Sequence, residues 1–159
     1  MFRTLRWINL VIAVLALTAP VAHVLELPNK LALDGPLWLA VQQHLYRGWG
    51  VVFGPVEILA LASSILLAVL RRRNRRAFAP TLVAVIAYGA MLAVFFLFDA
   101  PVNRALSGWT AERLPPDWTA YRLRWEIGHA LAALAALIAL VALRRARLAE
   151  TVGTKFRKP

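Results

Sequence analysis

The chain has 159 residues, of which 60% are apolar and 17% charged, and 19 Lys and Arg against 8 Asp and Glu give a formal net charge of +11. Soluble domains carry about a quarter charged residues and do not gather apolar residues into blocks that can cross lipid. The composition therefore indicates a membrane protein with a single domain, 1–159. The absence of cysteine excludes disulfides, thiolate metal sites and iron–sulfur clusters.

Four apolar segments are long enough to cross about 30 Å of hydrocarbon. They cover approximately residues 7–27, 51–70, 80–98 and 125–143. The first follows Arg3 and Arg6 as the core of a secretory signal would, but its apolar run is longer than such a core, so we expect it to remain as a span. The sequence thus predicts an all-α, four-helix transmembrane bundle.

The basic residues cluster beside these spans. Thirteen of the nineteen lie at the N-terminus, in the 71-RRRNRR-76 loop or after the fourth span. By the positive-inside rule, this distribution predicts a multi-pass protein of the bacterial inner membrane with both termini in the cytoplasm. Nucleic acid would also suit the high charge, but orientation and anionic lipid headgroups better explain clusters set directly beside spans. The lipid bilayer, and not nucleic acid, is the predicted partner.

The acidic residues show the opposite asymmetry. Seven of the eight, all except Glu150, fall in the predicted outer halves of the spans or in the outer loops. Five of the six tryptophans lie there too, as in an interfacial aromatic belt. Such a belt does not account for the acids. We therefore expect a functional site near the outer face.

Helix start and stop signals mark the outer loops. Asp34 and Pro36 are typical of a helix start, and the apolar residues that follow recur at helical spacing. This pattern predicts a short amphipathic helix on the outer surface, ended by Gly48 and Gly50. Asp117 similarly precedes the helix of the fourth span, which we expect to begin outside the lipid.

Ionisable residues at membrane depth cost on the order of 2.5 to 3.5 kcal/mol each, so they should face the bundle interior and have partners. Counted at about 1.5 Å per residue from the basic boundary, residues from all four spans fall in one layer of the outer half. The layer comprises His23, Glu26, Glu57, Asp99, Glu126 and His129. These similar heights predict that its histidines and glutamates converge on one polar pocket.

Within the layer, two pairs each place a histidine and a glutamate three residues apart, on one helix face. Together with further carboxylates, such pairs are the ligand inventory of di-iron and di-manganese carboxylate bundles. The predicted metal ligands are His23, Glu26, Glu57, Glu126 and His129. A metal-free pocket and a salt-bridge layer that only specifies helix pairing are the alternatives. Haem between the two histidines is a further option, against which the nearby carboxylates argue.

A distinctive pattern runs from the end of the third span into the fourth. It consists of 101-PVN-103, Trp109, 114-LPPDW-118, Arg122, 124-RWE-126 and His129. On these features the chain resembles the bacterial branch of the DUF1772 family of anthrone oxygenase-like integral membrane proteins. The resemblance implies a four-helix membrane bundle, and an oxygenase that acts on an activated aromatic or polycyclic carbon acid such as an anthrone.

The resemblance and the polar layer meet at the same residues. The predicted catalytic residues are His129, Glu126 and Glu57, and the predicted substrate-binding residues are Asn103, Trp109, Trp125 and Arg122. With iron or manganese the layer would activate O2; without a cofactor, a histidine or carboxylate would deprotonate the substrate, whose carbanion reacts with O2 directly. Both mechanisms need a lipophilic small molecule as substrate. The alternative function is a non-catalytic accessory or lipid-binding subunit.

Overall fold

A computed structural model describes the backbone of residues 2–155 and the side chains of residues 3–151. Within the described backbone the protein is helical and has no strand, which confirms the all-α class. The helices are α1 (Phe2–Leu31), α2 (Gly35–Ala40), α3 (Trp49–Arg71), α4 (Arg75–Val94), α5 (Ala100–Leu106) and α6 (Trp118–Lys155). One π-helical turn, Val41–Leu45, extends α2, and a second, Phe95–Asp99, joins α4 to α5.

Four helical segments in the described part of the chain are long and apolar enough to cross a membrane, as expected of a multi-pass membrane protein. They are Arg3–Leu31, Trp49–Arg71, Arg75–Leu106 and Trp118–Thr151. Each contains one of the predicted apolar segments and extends beyond it at both ends. Hydropathy marks only the part of a helix that suits hydrocarbon, whereas the helix itself continues through the headgroup layer.

The centre of the bundle is formed by α1, α4 and α6, with α3 packed against α1 and α4. Nine of the twelve buried residues of this core are alanines: Ala13, Ala16, Ala60, Ala84, Ala87, Ala132, Ala136, Ala139 and Ala142. Small side chains let helix backbones approach closely, which strengthens the van der Waals packing that holds membrane helices together.

The basic end of the bundle, which contains Arg6, Arg71 and Glu150, is cross-linked by ion pairs. The Glu150 carboxylate accepts hydrogen bonds from Arg6 at 2.6 Å and from Arg71 Nε at 2.8 Å. Arg71 also donates from Nη1 to Thr81 Oγ1 of α4 at 2.9 Å. All four long helices are thus joined at this end.

The opposite end, which contains Trp38, Trp49 and Trp118, is called the aromatic end below. Here α2 begins as predicted, because the Asp34 carboxylate caps it by accepting a hydrogen bond from the Leu37 amide at 2.9 Å. This helix is amphipathic, as predicted, with Leu37 exposed and the opposite face buried in the bundle. Trp38 is fully buried and packs in a cluster with Leu39, Val102, Leu106 and Trp125.

Gly48 begins α3 in the left-handed backbone region, with φ 88°, where other residues would be strained. Its carbonyl accepts hydrogen bonds from the amides of Val51 and Val52. The preceding helix has already ended at Leu45. The prediction that Gly50 terminates the loop helix is wrong, since Gly50 lies inside α3. The start predicted for the fourth helix is confirmed, because α6 begins directly after Asp117.

Candidate functional site

A cavity of about 870 Å³ lies at the aromatic end, within the usual size range of small-molecule sites. Its wall includes residues of all four long helices, of α5 and of both π-helical turns. Five residues predicted for the site line it: His23, Glu57, Asn103, Trp125 and His129. Aromatic side chains form much of the remaining wall, namely Tyr46, Trp49, Phe53, Phe95 and Phe96.

The two predicted histidines meet in this wall. The ring centroids of His23 and His129 are 4.3 Å apart in an edge-to-face contact. His23 also contacts the rings of Tyr46 and Trp125, at 4.6 and 4.7 Å. It is only 3% exposed, and its Nδ1 has no hydrogen-bond partner among the described residues, because the Glu26 carboxylate stays 3.6 Å away. A buried polar nitrogen is therefore left unpaired beside the cavity.

His129 is held at its Nδ1 atom. Nδ1 lies 3.0 Å from the carbonyl oxygen of Trp125 and 3.0 Å from Asp99 Oδ1. A carbonyl oxygen only accepts, so this contact assigns the proton of the neutral ring to Nδ1. The Asp99 oxygen lies off the N–H axis and accepts no hydrogen bond from the described residues, so its contact is an ion pair when the ring is protonated. Nε2 remains for a molecule in the cavity.

Two local irregularities bring Asp99 to His129. The π-helical turn Phe95–Asp99 buries Asp99 at 2% exposure, while Phe96 and Leu97 in the same turn are exposed. Gly128 supplies the space on α6, because a Cβ atom there would lie 2.7 Å from Asp99 Oδ2 and 2.8 Å from its Cγ. π-Helical turns are frequent at functional sites. The carboxylate therefore reaches α6 only where that helix has no side chain.

Glu126 does not line the cavity. Its Oε2 accepts a hydrogen bond from Lys30 Nζ at 2.9 Å, and each side chain is 4% exposed. The ammonium group of Lys30 also lies 4.7 Å from the centroid of the Trp125 ring, as a cation–π contact. Glu126 thus forms a salt bridge with Lys30 and is not among the residues that line the cavity.

Glu26 is engaged at the edge of the cavity and does not line it. Its carboxylate accepts a short hydrogen bond from the Tyr46 hydroxyl, and its side chain is 40% exposed. Burial, assisted by this hydrogen bond, raises the pKa of Tyr46 above its ordinary value. Tyr46 is therefore a neutral phenol whose proton is committed to Glu26.

These pairings decide how well the predicted metal ligands fit. Among the described residues, no three His, Asp or Glu side chains are grouped so that they could hold a metal ion. Lys30 and Tyr46 each donate to one oxygen of the Glu126 and Glu26 carboxylates, and Glu126 Oε1 accepts no hydrogen bond from the described residues. The predicted ligand set thus does not fit a metal centre. Haem does not fit between His23 and His129 either, since rings in contact leave no space for a porphyrin.

Two of the four predicted substrate-binding residues line the cavity together. Trp125 Nε1 donates a hydrogen bond to Asn103 Oδ1 at 3.0 Å. This bond fixes the Asn103 amide and uses its acceptor. The amide NH2 group remains available to a ligand.

The other two, Trp109 and Arg122, do not line the cavity. Trp109 packs edge-to-face on Tyr121 at 4.9 Å. Arg122 donates hydrogen bonds to the carbonyl oxygens of Lys30 and Leu33, at 3.2 and 2.9 Å. These contacts hold the end of α1 and the long α5–α6 connection in place, so both residues support the site from outside.

Four residues at or beside the site had no predicted role there: Gln42, Tyr46, Trp49 and Lys30. Gln42 lines the cavity, and its Nε2 is buried with no hydrogen-bond partner among the described residues. Its neighbour Gln43 donates instead to the carbonyl oxygens of Leu106 and Trp109. Two adjacent glutamines in an apolar helix could have indicated a polar site. Adjacent helical residues point about 100° apart, so the two side chains cannot share one partner.

Comparison of the chain with protein-family models, with curated proteins and with solved structures finds no match. Fold by itself assigns no activity, because one fold hosts many functions. The function is therefore argued from the geometry of the cavity.

Proposed function

We propose that this protein binds a lipophilic aromatic carbon acid in the cavity and oxygenates it, with His129 as the base. The observation that carries the proposal is the Asp99–His129 pair, whose histidine lies in the wall of an aromatic-lined cavity. Nδ1 is fixed by the Trp125 carbonyl oxygen, and this leaves Nε2 to take a proton. Asp99 then stabilises the imidazolium ring, as a carboxylate at Nδ1 does in hydrolase triads.

The chemistry needs no oxidant except O2. His129 Nε2 removes a proton from a CH2 group flanked by aromatic rings or a carbonyl, and the electron pair spreads onto the carbonyl oxygen as an enolate. The side-chain amides of Gln42 and Asn103 are the donors for that oxygen. The carbanion carbon then bonds to O2, and return of a proton gives a hydroperoxide. Loss of water from the hydroperoxide leaves a ketone, so that R2CH2 and O2 yield R2CO and H2O.

Glu57 is a carboxylic acid that lines the cavity together with the two histidines. We assign to it the proton that accompanies the departing water. Glu126 receives no catalytic role, because Lys30 neutralises it outside the cavity. The resemblance to anthrone oxygenase-like proteins supports the same choice of substrate, since Asn103, Trp125 and His129 belong to the pattern that carries it.

The basic end is assigned to the cytoplasm of a bacterial cell under the positive-inside rule. The cavity then lies in the outer half of the inner membrane. A non-catalytic subunit whose polar layer only pairs helices is the competing function. It explains the Lys30–Glu126 pair but gives no reason for the cavity beside His129.

Anthrone tests the proposal as a probe. The purified protein in lipid nanodiscs should consume O2 and form anthraquinone faster than empty nanodiscs. Replacing His129 by Gln removes the base at similar size, so turnover should fall by about 10²- to 10⁴-fold while anthrone still binds. The matched control is His44→Gln, because His44 makes the same contact to the carbonyl four residues earlier and does not line the cavity.

Each competing account gives its own result. Turnover that survives His129→Gln would show that this residue is not the base. Anthrone binding without O2 uptake in the parent protein would leave a binding protein and contradict the oxygenase. If anthrone neither binds nor reacts, and His129→Ala lowers stability as much as Arg122→Ala, the packing function is correct.

A further inference from the structure

The two halves of α3 are packed differently. Its buried residues are Ala60, Ser64, Leu67, Ala68 and Arg71, all in the half toward the basic end. None of residues 49–59 is buried. Pro55 lies in this half, residues 49–59, and its missing amide proton removes one helix hydrogen bond. The aromatic-end half of α3 is thus less covered by the neighbouring helices, although Val56 packs against the core and the Trp49 ring lies 5.0 Å from that of His23.

The cavity wall has a gap along this half of α3. Gly50 and Gly54 lie one helical turn apart, and both line the cavity. A Cβ atom at either position would meet no atom within 4 Å. The two glycines therefore leave this side of α3 open where it faces the cavity.

The gap reaches the outer surface of the bundle. Ile58 of α3 and Phe96 of the π-helical turn line the cavity, yet they are 59% and 66% exposed. A side chain with one surface in a cavity and another on the outside marks an opening. Ile58 lies nine residues into the span Trp49–Arg71, about 13 Å along the helix, so the opening faces hydrocarbon and not water.

We infer that the cavity takes its ligand from the lipid, sideways, through this opening between α3 and the π-helical turn. The opening, called the portal here, is formed by Gly50, Gly54, Ile58, Phe95 and Phe96. None of these residues is ionisable, so the portal admits an uncharged, flat hydrophobic molecule dissolved in the membrane. The inference rests on the proposed function only in treating the cavity as the ligand site.

Spin labelling tests the portal without any ligand. The chain has no cysteine, so Gly54→Cys provides a unique attachment point for a nitroxide. In phosphatidylcholine bilayers, the label's collisions are measured with O2, which concentrates in lipid, and with a water-soluble nickel chelate. Gly89→Cys is the matched control, because Gly89 is a helical glycine outside the cavity wall whose added Cβ would also meet no atom within 4 Å.

A lateral portal predicts that both labels collide often with O2 and rarely with the nickel chelate. Frequent nickel collisions at Gly54→Cys would mean that the cavity opens to water. Rare collisions with both reagents at that position would mean that it is closed to lipid. Either result overturns the inference, and neither depends on whether the protein is an oxygenase.

A second measurement uses anthrone as the probe. Gly54→Leu should narrow the portal and slow both the association and the dissociation of anthrone. Gly89→Leu should change neither rate. Unchanged rates in Gly54→Leu, or a lower affinity with unchanged association, would contradict the portal. If the parent protein binds no anthrone, the proposed substrate is wrong, and the spin-label result still decides the portal.

Discussion

Replacing Gly128 by Ala tests whether the contact between Asp99 and His129 is built as described. The added Cβ would lie 2.7 Å from Asp99 Oδ2 and 2.8 Å from its Cγ, so the carboxylate has to move. Asp99 is 2% exposed and has little space into which to withdraw. The substitution should therefore both destabilise the bundle and separate the carboxylate from the imidazole ring.

The expected magnitude follows from two opposing effects. Glycine to alanine inside a helix ordinarily stabilises by about 0.5 to 1 kcal/mol, whereas overpacking a tight site costs about 1 to 3 kcal/mol. Gly128→Ala should thus lower the free energy of unfolding, and Gly89→Ala, where the Cβ meets no atom within 4 Å, should raise it. Because the helix gain is common to both variants, we expect them to differ by the overpacking cost, about 1 to 3 kcal/mol.

The assay is unfolding of the protein in mixed micelles with increasing dodecyl sulfate, followed by tryptophan fluorescence. Adding Asp99→Ala to Gly128→Ala removes the atoms that clash. The double variant should therefore lose less stability than the two single variants together, by about 0.5 to 3 kcal/mol. Strictly additive losses, or a Gly128→Ala protein as stable as Gly89→Ala, would refute the proposed fit between Asp99 and Gly128.

Two further predictions concern the ion pair and the orientation. Lys30→Met should cost about 3 to 5 kcal/mol because it leaves the Glu126 charge buried alone, and adding Glu126→Leu should recover most of the loss; equal stability of the single and double variants in the same unfolding assay would contradict this. A reporter enzyme active only in the periplasm should be inactive when fused after Leu70 or at Pro159, and active when inserted after Asp34. Activity at either of the first two points would reverse the assigned orientation.

Much of the fold could be predicted because apolar length alone determines which segments cross lipid. The ends of the helices could not be predicted, and for this reason one ion pair was not predicted either. The predicted first span stops at residue 27, and Pro28 is a usual signal of a helix end, yet α1 continues to Leu31. Lys30 therefore extends the helix face of His23 toward α6 and reaches Glu126. A first span that ends at residue 27 leaves Lys30 in a loop. Glu126 then has no predicted partner, so it could be predicted as a metal ligand.

The depth of the site residues along the helices could be predicted from the sequence, but the directions in which their side chains point could not. Counting residues placed His23, Glu57 and His129 in one layer, and all three line the cavity. Residues three apart on a helix nevertheless point about 60° apart, which is enough to turn Glu126 toward Lys30 while His129 faces the cavity. The π-helical turn at Asp99 has no signature in hydropathy. The need for glycine at position 128 could not be predicted either, because it depends on the packing of α6 against that turn.

The alanine core between the two ends of the molecule limits how they can influence each other. Alanine has no χ angle, so a contact between alanines has only one side-chain arrangement. Transmission through a packed core normally uses elements with two discrete arrangements. Tyr88, Met91 and Leu143 are the three buried core residues that have rotamers, so a disturbance at the ion-paired cluster around Glu150 reaches the cavity chiefly as a shift of whole helices. The wall that carries His23 and His129 is thereby largely shielded from rotamer changes at the basic end.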